Sequence, residues 1–281
     1  MDLLRENEVS VPVIFLSKTL GSPCSYLHYA MSVASRNNDS VWLLGDERNK
    51  HLAVGKYENI EKYSKSAEEF EKNYVHLSTN SAEVEKFCFS RWFILRDFMI
   101  EHGYEQILHL DTDILFFANS TEEAKRFAYL DCALTGRTSG HSSYWTLEGL
   151  TKFCEYVSSL YNQKDCFEFL RISKEYDLRR EFSLDGGVCD MTFLEHYARY
   201  KAPHLVGELS ILSNHAYYDH IISADEGFSC SDGRKQFQYI DGIPHGFHEK
   251  TQKLVPFATI HFQGAHNKHL IKHHHDISIQ S

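Results

Sequence analysis

The sequence predicts an α/β fold with a mixed, mainly parallel sheet flanked by helices. Two observations carry that expectation. Residues 11–45 read as strand, helix, strand, the order of a βαβ unit and of parallel pairing. Later, the apolar run Gln106-Ile107-Leu108-His109-Leu110 follows a long amphipathic helix and ends in Asp111-Thr112-Asp113. A short strand delivering two carboxylates into a loop is how open α/β sheets present ligand-binding groups.

Composition supports a packed core. The chain has 281 residues, 42% hydrophobic and 14% aromatic, which excludes wholesale disorder. Its net charge of −10 argues against a general nucleic-acid binder, which would carry a basic footprint. Five prolines, no Ser/Gly-rich linker and no internal repeat leave no seam, so residues 1–281 are expected to form one domain. The opening residues hold no uninterrupted apolar core of a secretory signal, and no run approaches the ~18 apolar residues of a membrane span. Seven cysteines, at 24, 88, 132, 154, 166, 189 and 230, form no C-x-x-C pair. Reduced thiols in a cytoplasmic protein fit that pattern better than a disulfide scaffold.

In chain order, Val11 to Leu16 reads as a buried strand entering a loop at Ser17, Lys18, Thr19 and Gly21. A helix is expected from about residue 23 to Ser35, and Val41 to Leu44 forms a second strand ended by Gly45 and Asp46. Ile60 to Tyr74 is charged and reads as a surface helix. Asn80 or Ser81 caps a stronger helix in which Val84, Phe87, Cys88, Trp92, Leu95 and Met99 form one stripe. Arg91 lies on that stripe, so its guanidinium needs an anionic partner. That partner is either a protein carboxylate or a ligand phosphate.

Asp111 and Asp113 point to opposite sides in extended chain; a turn between them lets both converge on one hard cation. Ser120 is expected to cap a helix, and Leu147 to Tyr161 to form another. In the stretch 182–191, Gly186 and Gly187 allow a left-handed turn or close approach to a ligand. The helix that follows would bury Val188, Met191, Leu194 and Ala198, with Asp190 in its first turn and Asp185 as a cap.

The histidines collect near the C-terminus. Between Arg234 and His275 lie six Lys/Arg, two acids and eight of the 18 histidines, so this segment carries +4 and the rest −14. Ala258 to Gly264 reads as a strand bearing His261, a neutral-imidazole metal ligand or a hydrogen-bonded sheet histidine. His273 to His275 reads as a solvated tail.

These pieces resemble a GT-A-fold, Rossmann-like glycosyltransferase that uses nucleotide sugars. The features are the opening unit ending Leu43-Leu44-Gly45-Asp46, Arg91-Trp92 before the D-x-D strand, the Gly186-Gly187…Asp190 turn, and late His261-x-x-Gly264 with Lys268. The resemblance implies a nucleotide-binding half at about 11–117 and an acceptor-side half with a closing segment at about 118–281. It implies Mn²⁺ (or Mg²⁺) held by Asp111, Asp113 and His261. It places Ser17, Lys18, Asp46, Arg91, Asp111, Gly186, Gly187, Gly264 and Lys268 around the nucleotide-sugar donor. Lys268 stands seven residues after His261, where such enzymes usually have six, and Asn267 holds the sixth place.

In an inverting enzyme Asp190 would be the first candidate for the base, and Asp185 the second. The acceptor would be a glycan or glycoconjugate, and the activity a hexosyl or pentosyl transfer. Two other readings fit the same residues. One is a haloacid-dehalogenase-like phosphohydrolase, although Leu115 stands where that family has Thr or Val. The other is a non-catalytic nucleotide- or glycan-binding protein of the same fold.

Overall fold

The computed structural model describes residues 10–21, 24–162, 181–182, 186–213 and 215–280. Expectations for Asp185, Pro23 and Cys166 lie outside these residues. The main sheet has seven strands: β1 (Val13–Ser17), β2 (Val41–Gly45), β3 (Lys56–Asn59), β4 (Gln106–Leu110), β6 (Cys132–Thr135), β7 (Ser139–Thr146) and β8 (Val206–Glu208). Their order is β3-β2-β1-β4-β7-β6-β8. Pairs β3-β2, β2-β1, β1-β4 and β6-β8 are parallel; β7 runs against both neighbours. The mixed, mainly parallel sheet predicted from the sequence is therefore the observed one.

β1 shows why this sheet is a core layer. Its alternate residues Ile14 and Leu16 enter one hydrophobic cluster while Val13 and Phe15 enter another, on the opposite face. Helices α3 (Ala82–His102) and α5 (Leu147–Asn162) cover the first face, and α1 (Leu27–Ala34) covers the second. Of the two candidate caps, Ser81 is used: its hydroxyl accepts the Val84 N–H. Gly103 ends the helix at φ 67°. The predicted stripe holds at Trp92, Leu95 and Met99, while Val84 lies in the solvated first turn.

A second sheet carries β12 (Phe237–Ile240), β13 (Ile243–His248), β14 (Lys253–His261) and β5 (Ile114–Phe116), with β9 (Tyr217–Tyr218) beside β14. A small hairpin pairs β10 (Cys230–Ser231) with β11 (Arg234–Lys235). β5 follows the D-x-D turn directly and pairs antiparallel with β14, so His261 lies opposite Ile114. This pairing brings the C-terminal segment to the acids.

Several local expectations are corrected. Helix α1 starts at Leu27, and the charged segment splits into a short 3₁₀ turn, Ile60–Tyr63, and α2 (Lys65–Glu71). Asn119, not Ser120, caps α4 (Ser120–Ala124) by accepting the Glu122 N–H. α6 (Asp190–His196) starts at Asp190 with Cys189 as cap, and Met191 faces solvent. His273 to His275 belong to α7 (Leu270–Gln280) rather than a tail, with His274 against Phe237, Tyr239 and Phe262. Three consecutive histidines read as polar, but an imidazole ring packs like an aromatic when one nitrogen finds a partner; here Tyr239 and His274 Nδ1 are 2.7 Å apart.

Candidate active site

The chain leaves β1 toward β2 and β3 on one side, then returns to β4 on the other side of β1. The crevice at the C-terminal ends of β1 and β4 is thus the switch point of the sheet. A cleft of about 460 Å³ opens there, lined by Ser17, Lys18, Gly21, Arg91, Asp113 and Lys268 among others. A larger cavity, about 650 Å³, opens at the opposite edge beside Ser10, Val11 and Gln106. Among the described residues its lining carries the acids Glu105 and Glu148 and no Lys or Arg.

The loop after β1 is ordered by Asp46. Thr19 donates its amide to Oδ2 at 2.6 Å and its hydroxyl to Oδ1 at 2.9 Å. Partial burial pushes the Asp46 carboxyl up, but hydrogen bonds from Thr19, Asn49 and Arg48 outweigh it and hold it below the usual range. Asn49 also donates to the Ser17 carbonyl at 2.8 Å. Asp46 shapes the cleft through this loop and is not among the residues lining it.

The backbone does turn between the two acids: Ile114 N–H donates to the Asp111 carbonyl at 3.3 Å. The side chains nonetheless go to different partners. Asp111 Oδ1 accepts from Arg91 Nη1 at 2.9 Å and lies 3.5 Å from His109 Nε2. Arg91 Nη2 reaches Asp190 Oδ2 at 2.5 Å, and Trp92 Nε1 donates to the same oxygen at 3.1 Å. Burial opposes charge on both Asp111 and Arg91; their mutual attraction overrides it and holds Asp111 well below the carboxylate range. Arg91 therefore already has two protein carboxylates. Asp190 is buried, and both donors take its Oδ2.

Asp113 faces the other way. Its Oδ2 is 3.3 Å from Lys268 Nζ and its Oδ1 3.6 Å from His261 Nε2. Lys268 also donates to the Tyr26 hydroxyl at 3.2 Å. Burial disfavours the ammonium, but Asp113 beside it keeps its pKa raised. His261 Nδ1 lies 2.6 Å from the His220 carbonyl, which assigns the proton to Nδ1 and leaves the Nε2 lone pair facing Asp113. The His261 amide donates to Asp219 Oδ2 at 3.0 Å, and Asp219 pairs with buried Lys235 at 2.7 Å.

A carboxylate oxygen and an imidazole lone pair at this separation suit a divalent cation. Asp111 is not brought into that pair, and among the described residues no three His, Cys, Asp or Glu side chains group closely enough to hold an ion together.

Gly186 and Gly187 adopt φ of 130° and 109°. They dock on protein rather than lining the cleft: Thr79 N–H donates to the Gly186 carbonyl at 2.8 Å. The docking places the start of α6, and with it Asp190, beneath Arg91. Gly264 turns the chain at φ 85° after β14. Past that turn Asn267 points inward, accepting from Arg234 and donating to the Gln263 carbonyl, and Lys268 enters the cleft. His141 and His220 carry no signal in the sequence, because the strands and loops that gather them are distant along the chain.

No family model and no curated protein sequence matches this chain. Its architecture does match solved structures. Mouse xyloside xylosyltransferase 1 superposes with a TM-score of 0.50 at 10% identity, covering 72% of this chain and 85% of that one. An active-site mutant of LgtC gives 0.50 at 11% identity, covering 95% and 96%. The chain has the GT-A glycosyltransferase fold. Among the described residues no helix is long and apolar enough to cross a membrane.

Proposed function

We propose that this protein is a metal-dependent glycosyltransferase that moves a sugar from a nucleotide-diphosphate sugar to a hydroxyl of a glycan or glycoconjugate. The observation that carries the reading is the meeting of Asp113, His261 and Lys268 at the switch-point crevice. Asp113 and His261 would hold Mn²⁺ or Mg²⁺. When bound, such an ion neutralises charge developing on the departing diphosphate. Lys268 supplies a second positive charge to the same oxygens, already oriented by Asp113 and Tyr26. Asp111 Oδ2 has no hydrogen bond among the described residues and would meet the donor's ribose or sugar. Arg91 holds Asp111 and Asp190 in place and acts as a positioning residue.

The phosphohydrolase alternative needs Asp111 as a nucleophile. Its Oδ2 is free among the described residues, but Arg91 holds the carboxyl well below the carboxylate range, and so weak a base is a poorer nucleophile, which favours the transferase. The test is hydrolysis of a panel of nucleotide sugars with Mn²⁺. Slow release of nucleoside diphosphate, reduced ~10²-fold or more by Asp113→Ala, is expected. Phosphate release from simple monoesters would overturn the transferase reading, and binding without turnover would favour the non-catalytic one.

A further inference from the structure

The edge that holds the D-x-D turn carries a second polar constellation. β1, β4, β6 and β8 run in one direction, so Asp111 and Glu208 leave the main sheet at the same edge. Between β4 and β8 lie three inter-strand steps of ~4.8 Å, about 14 Å in all. Imidazole rings bridge that gap. His261 stacks on His141 with centroids 4.1 Å apart, and His141 lies 5.5 Å from His220. A Cβ built on Gly136 would sit 3.7 Å from His220 Nδ1, so the β6–β7 turn closes against that ring.

Glu208 stands beside this turn. Its Oε1 accepts from the Gly136 amide at 2.8 Å and the Ser210 amide at 2.7 Å. Oε2 has no hydrogen-bond partner among the described residues. Burial pushes the Glu208 carboxyl above its ordinary value, which makes the ionised group a better acceptor. On the histidine side, exposed Met191 has its sulfur 3.8 Å from Ser139 Oγ, and Ser139 holds His141 Nδ1 at 2.5 Å. A fixed carboxylate oxygen beside an imidazole ring matches a sugar, which offers hydroxyl donors and a C–H face.

We infer that Glu208 and His220 build the acceptor subsite, with Glu208 Oε2 accepting a hydrogen bond from a hydroxyl of the acceptor sugar. The inference rests on the glycosyl-transfer reading above for the role of that sugar. Glu208→Gln tests it, since Oε1 and its two amide donors persist while the free side turns from acceptor to donor. The readout is the amide ¹H–¹⁵N spectrum during titration with methyl glycosides of glucose, galactose and xylose. At least one glycoside shifts Gly136 and Ser210 saturably at millimolar concentration, and the shift disappears in Glu208→Gln. Failure of every glycoside to move these amides in the unmodified protein overturns the inference. So does an unchanged shift in the variant. UDP and GDP with Mg²⁺ are titrated in parallel: shifts at Thr19 and Gly21 report the donor cleft. Their absence, with the glycoside shifts intact, sinks the donor reading and leaves the sugar site standing.

Discussion

Asp111 and Asp113 stand one residue apart on the same turn, yet they belong to different kinds of site. On the α3 side, Asp111 is tied to a guanidinium that is only 11% exposed and that also grips buried Asp190. On the C-terminal side, Asp113 meets an ammonium that is 34% exposed and an imidazole lone pair. The first arrangement is closed at its cation, Arg91 being answered by two carboxylates inside the protein, although Asp111 itself is 35% exposed. The second is open at its cation: the Lys268 ammonium can still be reached, while Asp113 and His261 themselves are 12% and 6% exposed. Under the proposed function this D-x-D tripeptide divides its labour: Arg91 braces Asp111, while Asp113 meets Lys268 and His261.

The largest expected effect tests the closed side. Arg91→Ala leaves Asp190 buried without its cation, and breaking a buried pair costs ~3–5 kcal/mol. Urea denaturation should show that loss. A variant with near-native stability but greatly weakened nucleotide affinity would instead assign Arg91 to the donor phosphate.

The second test uses acid to separate the two sides. Burial pushes the His274 imidazole down to about 4 from 6.5. The unfolded chain then binds the proton more readily, so this contribution is complete above pH 6.5 and fades as pH falls toward 4. It amounts to at most ~3 kcal/mol over that window. Asp111, held well below 3.8, has the carboxylate sign: its contribution is full above its unfolded value and is lost only at lower pH. Helix α7, which follows Lys268, should therefore loosen before the Arg91 cluster does. His274→Gln keeps a hydrogen-bonding group for Tyr239 and should flatten thermal stability between pH 7 and 4.5. An unchanged slope would show that another group carries it.

The contrast also marks what the sequence made legible. The β1–α1–β2 unit and the D-x-D strand are contiguous apolar runs with turn residues at their ends, so local pattern sufficed. The burial of Arg91 was visible in the helical stripe on α3. Its main partner was not, because Asp190 lies 99 positions away and arrives only when Gly186 and Gly187 dock on Ser78 and Thr79. His141 and His220 are invisible for the same reason: their closeness comes from β7 and the segment before β10 folding onto β14. Lys268 in place of Asn267 is set by the geometry of the Gly264 turn, which residue counting from His261 does not contain.

The smallest effect is the one that best defines the open side. Lys268→Ala removes an ammonium one-third exposed, whose pairing with Asp113 is partly screened by water, so stability should change by less than ~1 kcal/mol. His261 remains beside Asp113, and Tyr26 loses only a partially solvated donor. Affinity for a nucleoside diphosphate should nonetheless fall ~10-fold, the equivalent of ~1.4 kcal/mol, because the diphosphate loses a cation placed to meet it. Lys268→Arg should recover part of that loss, whereas an alanine has no charge to offer. Calorimetric titration with UDP and GDP, beside a thermal melt of each variant, measures both quantities. Unchanged affinity with a clear drop in melting temperature would mean that Lys268 serves Asp113 as Arg91 serves Asp111. Both acids would then be structural, and the division of labour proposed for this turn would fail.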